Sequence, residues 1–136
     1  WTKENMDQVI DAWRQEDLNY YVDLMLFVHF IDGFFMVTYG IAVFSGLLLV
    51  ARLLPADHKL QEGYFYLAFA SWSATLLDVV EQVNILIMLS DPNNIKEINV
   101  FAASLSTILC VIVLYSCIAI MLVGFVIAFI MRSKNK

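Results

Sequence analysis

The stretch ASWSATLLDVVEQVNILIML, residues 70–89, has the length of a membrane-crossing helix but carries charged and amide side chains from its middle onward. About 20 mostly apolar residues suffice to cross the hydrocarbon core of a bilayer. The polar side chains are those of Asp78, Glu81, Gln82 and Asn84. A charge near the centre of a bilayer costs from about 3 to more than 10 kcal/mol, so such residues usually face protein or water. The stretch therefore predicts a membrane helix that needs partners.

The composition of the whole chain indicates an all-α membrane protein. Of the 136 residues, 61% are hydrophobic and 15% are charged, and the mean hydropathy is +0.75. Soluble domains contain about 45–50% apolar residues. The apolar runs are too long for the strands of a membrane β-barrel. The net charge of −5 argues against nucleic acid as a partner. We expect a single membrane domain over residues 1–136.

The amino-terminal segment, residues 1–21, is predicted to be an amphipathic helix. Its apolar positions fall on one helical face: Met6, Val9, Ile10 and Trp13. Such a helix can lie in the membrane interface, dock onto the rest of the chain or dock onto a partner protein. The sequence leaves these three alternatives open.

Three apolar segments are predicted to cross the bilayer, at residues 22–54, 62–90 and 95–132. Pro55 begins the turn after the first segment, and Asn94 and Glu97 have the spacing of a capping box for the third. Short turns favour antiparallel neighbours. The expected fold is an antiparallel bundle of three transmembrane helices with an N-terminal amphipathic helix.

Small residues indicate where these helices pack closely. Two glycines lie seven residues apart on the first apolar segment, and four small residues recur every seven on the third: Gly33, Gly40, Ala103, Cys110, Cys117 and Gly124. Small side chains let helix backbones approach each other in a membrane. We therefore interpret both cysteines as packing residues. The sequence identifies no cofactor.

Positive charges predict the orientation, because loops facing the cytoplasm carry an excess of Lys and Arg. The side of the first turn and the carboxyl tail has Arg52, Lys59, Arg132, Lys134 and Lys136. The opposite side has Lys3, Arg14 and Lys96. We expect the C-terminus in the cytoplasm and the N-terminus outside.

The polar residues of the first two apolar segments are predicted to form one cluster. Folding the chain back at the first turn brings Asn84 level with Asp32 and Asp78 level with Thr38. Helical spacing places further polar side chains close to these. The predicted cluster contains His29, Asp32, Thr38, Asp78, Glu81, Gln82 and Asn84.

Three interpretations of the cluster stay open. Carboxylates and an imidazole in a medium of low dielectric constant have shifted pKa values, which suits proton relay or cation binding. The i, i+3 spacing of His29 and Asp32 also resembles bundle metal sites, although the Glu-x-x-His pairs of di-iron proteins are missing. Alternatively, the polar groups only hold the helices together. The sequence contains no nucleophile elbow, phosphate-binding loop or HExxH motif, so an enzyme is not expected.

Two functions follow. Three helices enclose little interior for polar side chains, so we expect a homo-oligomer or a larger membrane-protein partner besides the lipid bilayer. The first hypothesis is accordingly a non-enzymatic accessory subunit of a membrane assembly. The second is a small channel or transporter that conducts protons or cations through the cluster.

Three motifs resemble those of a group of uncharacterised small bacterial integral-membrane proteins: Ile10-Asp-Ala-Trp13, Asp32-Gly-Phe-Phe-Met-Val-Thr-Tyr39 and Asp78-Val-Val-Glu81-Gln82. That group has an Asp-x-x-Phe-x-x-x-Tyr helix and an Asp-x-x-Glu-Asn helix, where this chain has Gln82 in place of Asn. The resemblance implies that Tyr39 joins the cluster and that the membrane is a bacterial inner membrane. It also implies a segment before Trp1, and it brings no known activity.

Overall fold

The computed structural model describes residues 2–55 and 59–134 and has four α-helices over these ranges. They are α1 (Lys3–Glu16), α2 (Leu18–Leu53), α3 (Lys59–Ser90) and α4 (Glu97–Lys134). The described residues contain no strand, which confirms the all-α class. The predicted positions at Trp1, 56–58 and Lys136 lie outside the described residues.

Three of the helices are long and apolar enough to cross a membrane: Leu18–Leu53, Lys59–Ser90 and Glu97–Ser133. The chain itself covers little of them. In the most apolar 18-residue stretch of each helix, the buried share is only 28%, 22% and 17%, in the same order. Large contiguous apolar surfaces are rare on soluble monomers, whereas lipid solvates them. The prediction of three apolar helices able to span a bilayer is confirmed.

The break between the amphipathic helix and α2 lies at Asp17, so the predicted boundary at residue 21 is wrong. The Asp17 backbone is extended, with φ −153° and ψ 94°. Its carboxylate accepts a hydrogen bond of 3.1 Å from the Tyr20 amide, which caps the start of α2. Residues 18–21 therefore belong to the first long helix.

The predicted capping box at Asn94 is also wrong, because α4 begins at Glu97 rather than Ile95. Instead, the backbone N–H of Asn94 donates a hydrogen bond of 3.1 Å to the Asp91 carbonyl, within a turn. The Lys96 carbonyl accepts the first helical hydrogen bonds. The other ends of the long helices lie within three residues of the predictions: Leu53, Lys59, Ser90 and Lys134.

The chain forms two compact units, the first made of Trp1–Met36 and Leu76–Leu109. The core of this unit contains Met6, Ile10, Met88, Ile95, Val100 and Ala103. The buried face of α1 thus packs against the chain itself. Arg14 adds hydrogen bonds to the Asn93 side chain at 2.7 Å and to the Pro92 carbonyl at 3.3 Å. Of the three alternatives predicted for the amphipathic helix, the structure shows the second: α1 docks onto the other helices of the same chain.

The second unit consists of Val37–Thr75 and Cys110–Lys136. Its core contains Val43, Leu47, Val50, Ala51, Leu54, Tyr64, Ala68, Cys117 and Ala128. The Tyr64 hydroxyl is buried there and donates a hydrogen bond of 3.0 Å to the Ile120 carbonyl. This bond satisfies the polar end of an otherwise apolar side chain. The single domain expected over residues 1–136 stays a prediction.

The small residues differ in how closely they approach their neighbours. A Cβ atom built on Gly124 would lie 2.5 Å from the Tyr64 hydroxyl and 2.6 Å from a Val50 methyl. One built on Gly40 would lie 2.6 Å from the Thr75 hydroxyl. Gly33 has no atom within 4 Å of that position, so it makes no close approach within the described residues. Three further small residues are buried: Ala103, Cys110 and Cys117.

We expect the substitution Gly124→Ala to lower the free energy of unfolding by about 1–3 kcal/mol, the usual cost of overpacking. The added methyl group would overlap the Tyr64 hydroxyl and weaken its bond to Ile120. Gly33→Ala is the matched control, with unchanged stability or a gain of up to about 1 kcal/mol from helix propensity. Unfolding in mixed micelles, followed by circular dichroism, measures both. If both variants unfolded with the same free energy, Gly124 could not be in close contact with Tyr64.

Candidate functional site

The predicted polar residues are divided between the two units. The first unit contains His29, Asp32, Asp78, Glu81, Gln82 and Asn84, whereas the second contains Thr38 and Tyr39. Tyr39 places its hydroxyl 3.7 Å from the Cys110 sulfur, and Thr38 is exposed. The candidate site described below is therefore confined to the first unit.

Asp32 and Gln82 form a direct link between α2 and α3. The Gln82 amide donates a hydrogen bond of 2.5 Å to an Asp32 carboxylate oxygen. Hydrogen bonds to an ionised acceptor are shorter and stronger than neutral ones. The sequence had placed Asn84 level with Asp32, but the partner lies two residues earlier on α3. Asp32 itself stays exposed.

His29 and Asn84 are satisfied by their own helices. His29 Nδ1 lies 2.8 Å from the Met25 carbonyl, and the Asn84 amide donates to the Val80 carbonyl at 2.7 Å. A carbonyl only accepts, so Nδ1 of His29 carries a proton. Four hydroxyl groups use the same local solution: Ser71, Ser73, Ser90 and Thr107. These side chains need no partner on another helix.

A cavity of about 240 Å³ lies in the first unit and is lined by residues of all four helices. Most of its wall is apolar, including Met6, Trp13, Met25, Ile85 and Val100. His29, Glu81, Ser104 and Thr107 supply the polar part. The docking of α1 closes one side, because Met6, Val9 and Trp13 all belong to that helix.

Glu81 is the charged residue of the cavity, and its carboxylate is half-buried. The Thr107 hydroxyl has one proton and two acceptors within reach, the Glu81 carboxylate and the Ala103 carbonyl at 2.9 Å. Asp32, Asp78 and His29 also lie close enough to act electrostatically on the Glu81 carboxylate. Glu81 therefore belongs with the other two acidic residues of the predicted cluster, Asp32 and Asp78, in the first unit.

Thr107 and Ser104 belong to α4 and are not among the residues predicted for the cluster. The predicted cluster contains polar residues of the first two apolar segments only. A signal was present, because Thr107 follows the small residue Ala103 by four positions and therefore shares its helical face.

The described residues contain no group of three or more His, Cys, Asp or Glu side chains placed to hold a metal ion. Both cysteines are free thiols, buried in the second unit, whereas the acidic residues lie in the first. Residues 2–55 and 59–134 therefore provide no set of ligands for the metal site that the sequence left open.

These features define the class of the protein: an all-α chain with three helices able to span a membrane and a largely apolar cavity that contains a carboxylate. No protein-family model, curated protein or solved structure matches the chain. The resemblance carried by the motifs at Asp32 and Asp78 stays a prediction.

We expect Asp32 and Gln82 to be energetically coupled. In a double-mutant cycle with Asp32→Ala and Gln82→Ala, the coupling should be about 0.6 kcal/mol and at most about 1.7 kcal/mol, the range for side-chain hydrogen bonds between membrane helices. Reversible unfolding in micelles gives the four stabilities. Asp23, exposed on the same helix, is the control, because Asp23→Ala should add independently to Gln82→Ala. Strict additivity for Asp32 as well would show that the bond contributes nothing.

Proposed function

We propose that the chain is a non-enzymatic integral-membrane subunit of a larger or homo-oligomeric assembly. The observation that supports this most is the length of the exposed apolar face of α4. Large apolar side chains are exposed on it from Ile98 to Ile130, with Phe101 at 60% and Phe129 at 78% exposure. The described chain leaves this face uncovered, and the face is longer than the hydrocarbon core of one bilayer is thick.

At 1.5 Å per residue, this face is about 48 Å long. The hydrocarbon core of a bilayer is about 30 Å thick. Even at a tilt of about 40°, the upper end of the usual range, the face still extends over about 37 Å along the membrane normal. Part of the apolar surface therefore lies beyond the hydrocarbon, and another protein surface is the natural cover for it.

The position of Asp32 also supports a protein partner. This carboxylate is exposed on α2 between exposed aromatic side chains, with Phe30 and Phe34 at 67% and 64% exposure. A carboxylate that faces hydrocarbon is costly, whereas a polar group of a neighbouring chain would stabilise it. Gln82 supplies one hydrogen bond and leaves further acceptor capacity on the carboxylate.

The proposed arrangement is an antiparallel bundle with the N-terminus outside and the C-terminus in the cytoplasm of a bacterial cell, in the inner membrane. The excess of Lys and Arg at the first turn and the carboxyl tail supports this orientation. Arg132, exposed at the end of α4, then lies at the cytoplasmic edge of the hydrocarbon. The start of α4 is consequently the part of the apolar face that lipid does not cover.

A photocrosslinking amino acid placed along α4 tests this proposal. We expect protein adducts from positions Ile98 and Phe101, and lipid adducts from Leu122 and Phe129, because only the latter pair lies within reach of the hydrocarbon. Irradiation in native membranes followed by mass spectrometry identifies the adducts. Adducts to the same chain would indicate a homo-oligomer, and adducts to another protein a larger assembly.

The matched control is Val100, which lies between Ile98 and Phe101 in the sequence. Its side chain is buried, so it should give no intermolecular adduct. Lipid adducts at Ile98 and Phe101 as abundant as those at Leu122 would contradict the proposal. In that case lipid would cover the whole apolar face without a partner.

A second candidate function is a small proton- or cation-conducting channel or transporter. It is favoured by one observation: Asp32 and Asp78 lie in the same unit as Glu81 and close enough to act on its carboxylate electrostatically. Clustered intramembrane carboxylates are typical of proton and cation pathways. The residues that would conduct are the same ones that the subunit proposal assigns to helix contacts.

Flux through liposomes separates the two candidates. For a subunit, we expect the purified chain to conduct no more protons or sodium ions than empty liposomes, and Asp78→Asn with Glu81→Gln to leave its assembly unchanged. Fluorescent pH and sodium indicators measure the flux, and native mass spectrometry measures the assembly. Flux that is lost in the double variant but kept in the control Asp23→Asn would establish a conductor instead.

A further inference from the structure

The cavity of the first unit combines a mostly apolar wall with a few polar groups. What it can bind follows from this lining and does not depend on the proposed function. Its polar groups sit within a wall that is otherwise apolar and includes Met6, Trp13 and Met25. Methionine side chains are flexible and polarisable, so such a wall adapts to apolar molecules of differing shape. A pocket of this kind, with few polar groups in an apolar wall, is typical of sites that bind small organic ligands.

Three of the polar groups that line this cavity can accept hydrogen bonds: His29, Glu81 and Thr107. His29 Nδ1 lies 2.8 Å from the Met25 carbonyl, so Nε2 is the nitrogen left for a ligand, and it accepts a hydrogen bond when Nδ1 holds the ring's one proton. The Thr107 oxygen can also accept a hydrogen bond, whichever of its two acceptors, the Ala103 carbonyl or the Glu81 carboxylate, takes its proton. The Glu81 carboxylate accepts only. A ligand that brings hydrogen-bond donors is therefore complementary to these three groups.

The charge of the site favours a cationic donor. No lysine or arginine within residues 2–55 and 59–134 forms an ion pair with Glu81. Asp32 and Asp78 lie close enough to act on the same carboxylate and add to the negative potential. A bare metal ion would leave the apolar wall without a partner, and the described residues offer no group of three metal ligands.

We infer that this cavity binds a primary ammonium group carried on a small apolar body. The ammonium donates its protons to Glu81, His29 Nε2 and the Thr107 oxygen, and the apolar body packs against Met6, Met25 and Trp13. The volume of about 240 Å³ is below the range of about 300–1,000 Å³ usual for drug-sized ligands, which favours a short chain. The ammonium can belong to a free amine or to the headgroup of an aminophospholipid.

Hexylamine is a suitable probe. In phosphatidylcholine nanodiscs, isothermal titration calorimetry should detect saturable binding beyond the heat of partitioning into protein-free discs. Hexanol and hexanoate match its apolar chain but lack the ammonium, so they should bind at least about tenfold more weakly. Equal affinities for hexylamine and hexanol would overturn the inference, and so would the absence of saturable hexylamine binding.

Two substitutions assign the binding to the cavity. Glu81→Gln should weaken hexylamine binding about 10- to 100-fold, the usual effect of losing a charge-assisted hydrogen bond. Thr107→Val removes one acceptor at nearly constant volume and should weaken it several-fold. Glu62→Gln, on the same helix but outside the cavity, is the control and should leave the affinity unchanged. Wild-type affinity in Glu81→Gln, with the helix content retained, would overturn the inference.

Repeating the titration in discs that contain phosphatidylethanolamine distinguishes the two sources of the ammonium. Competition with hexylamine, abolished in Glu81→Gln, would assign the site to an aminophospholipid headgroup. Unchanged hexylamine binding would assign it to a free amine. Either result supports recognition of a primary ammonium.

Discussion

The structure depends on one constraint: polar side chains on long apolar helices need partners within the protein, because lipid offers none. The chain meets this requirement mostly within single helices. His29, Asn84 and Thr107 each hydrogen-bond a carbonyl four residues earlier in their own helix. The bond between Gln82 and Asp32 instead joins two helices, as does the bond between Tyr64 and Ile120. Packing of small and apolar residues carries most of the remaining contact between helices.

The general fold was predictable because its signals are strong and local. Long apolar runs give the number of candidate spans and most of their ends to within three residues. The break at Asp17 was missed because it interrupts a run of helix-compatible residues and depends on one carboxylate capping the Tyr20 amide. The docking of α1 was left open because an apolar face at Met6 and Ile10 fits lipid as well as protein. Only tertiary contacts distinguish those cases.

The candidate site was predictable in its residue types but less so in its contacts. The predicted register was two residues from the observed one, enough to exchange Asn84 for Gln82 as the partner of Asp32. The glycines show the same limit. Gly33 and Gly40 have the same seven-residue spacing that marks a packing face, yet only Gly40 lies against a neighbouring side chain, that of Thr75. Spacing identifies a face, but the residue opposite decides whether that face is in close contact.

Local satisfaction of polar groups also determines the chemistry of the cavity. His29 and Thr107 hydrogen-bond carbonyls of their own helices, which leaves His29 Nε2 and the Thr107 oxygen able to accept hydrogen bonds inside the cavity. Helix stability and ligand preference are therefore coupled, because the side chains whose hydrogen bonds stabilise the apolar helices also line the cavity beside Glu81. A ligand with several N–H donors and a positive charge restores the balance that the chain itself leaves incomplete. A neutral alcohol offers a single proton and no charge, so it meets this requirement only in part.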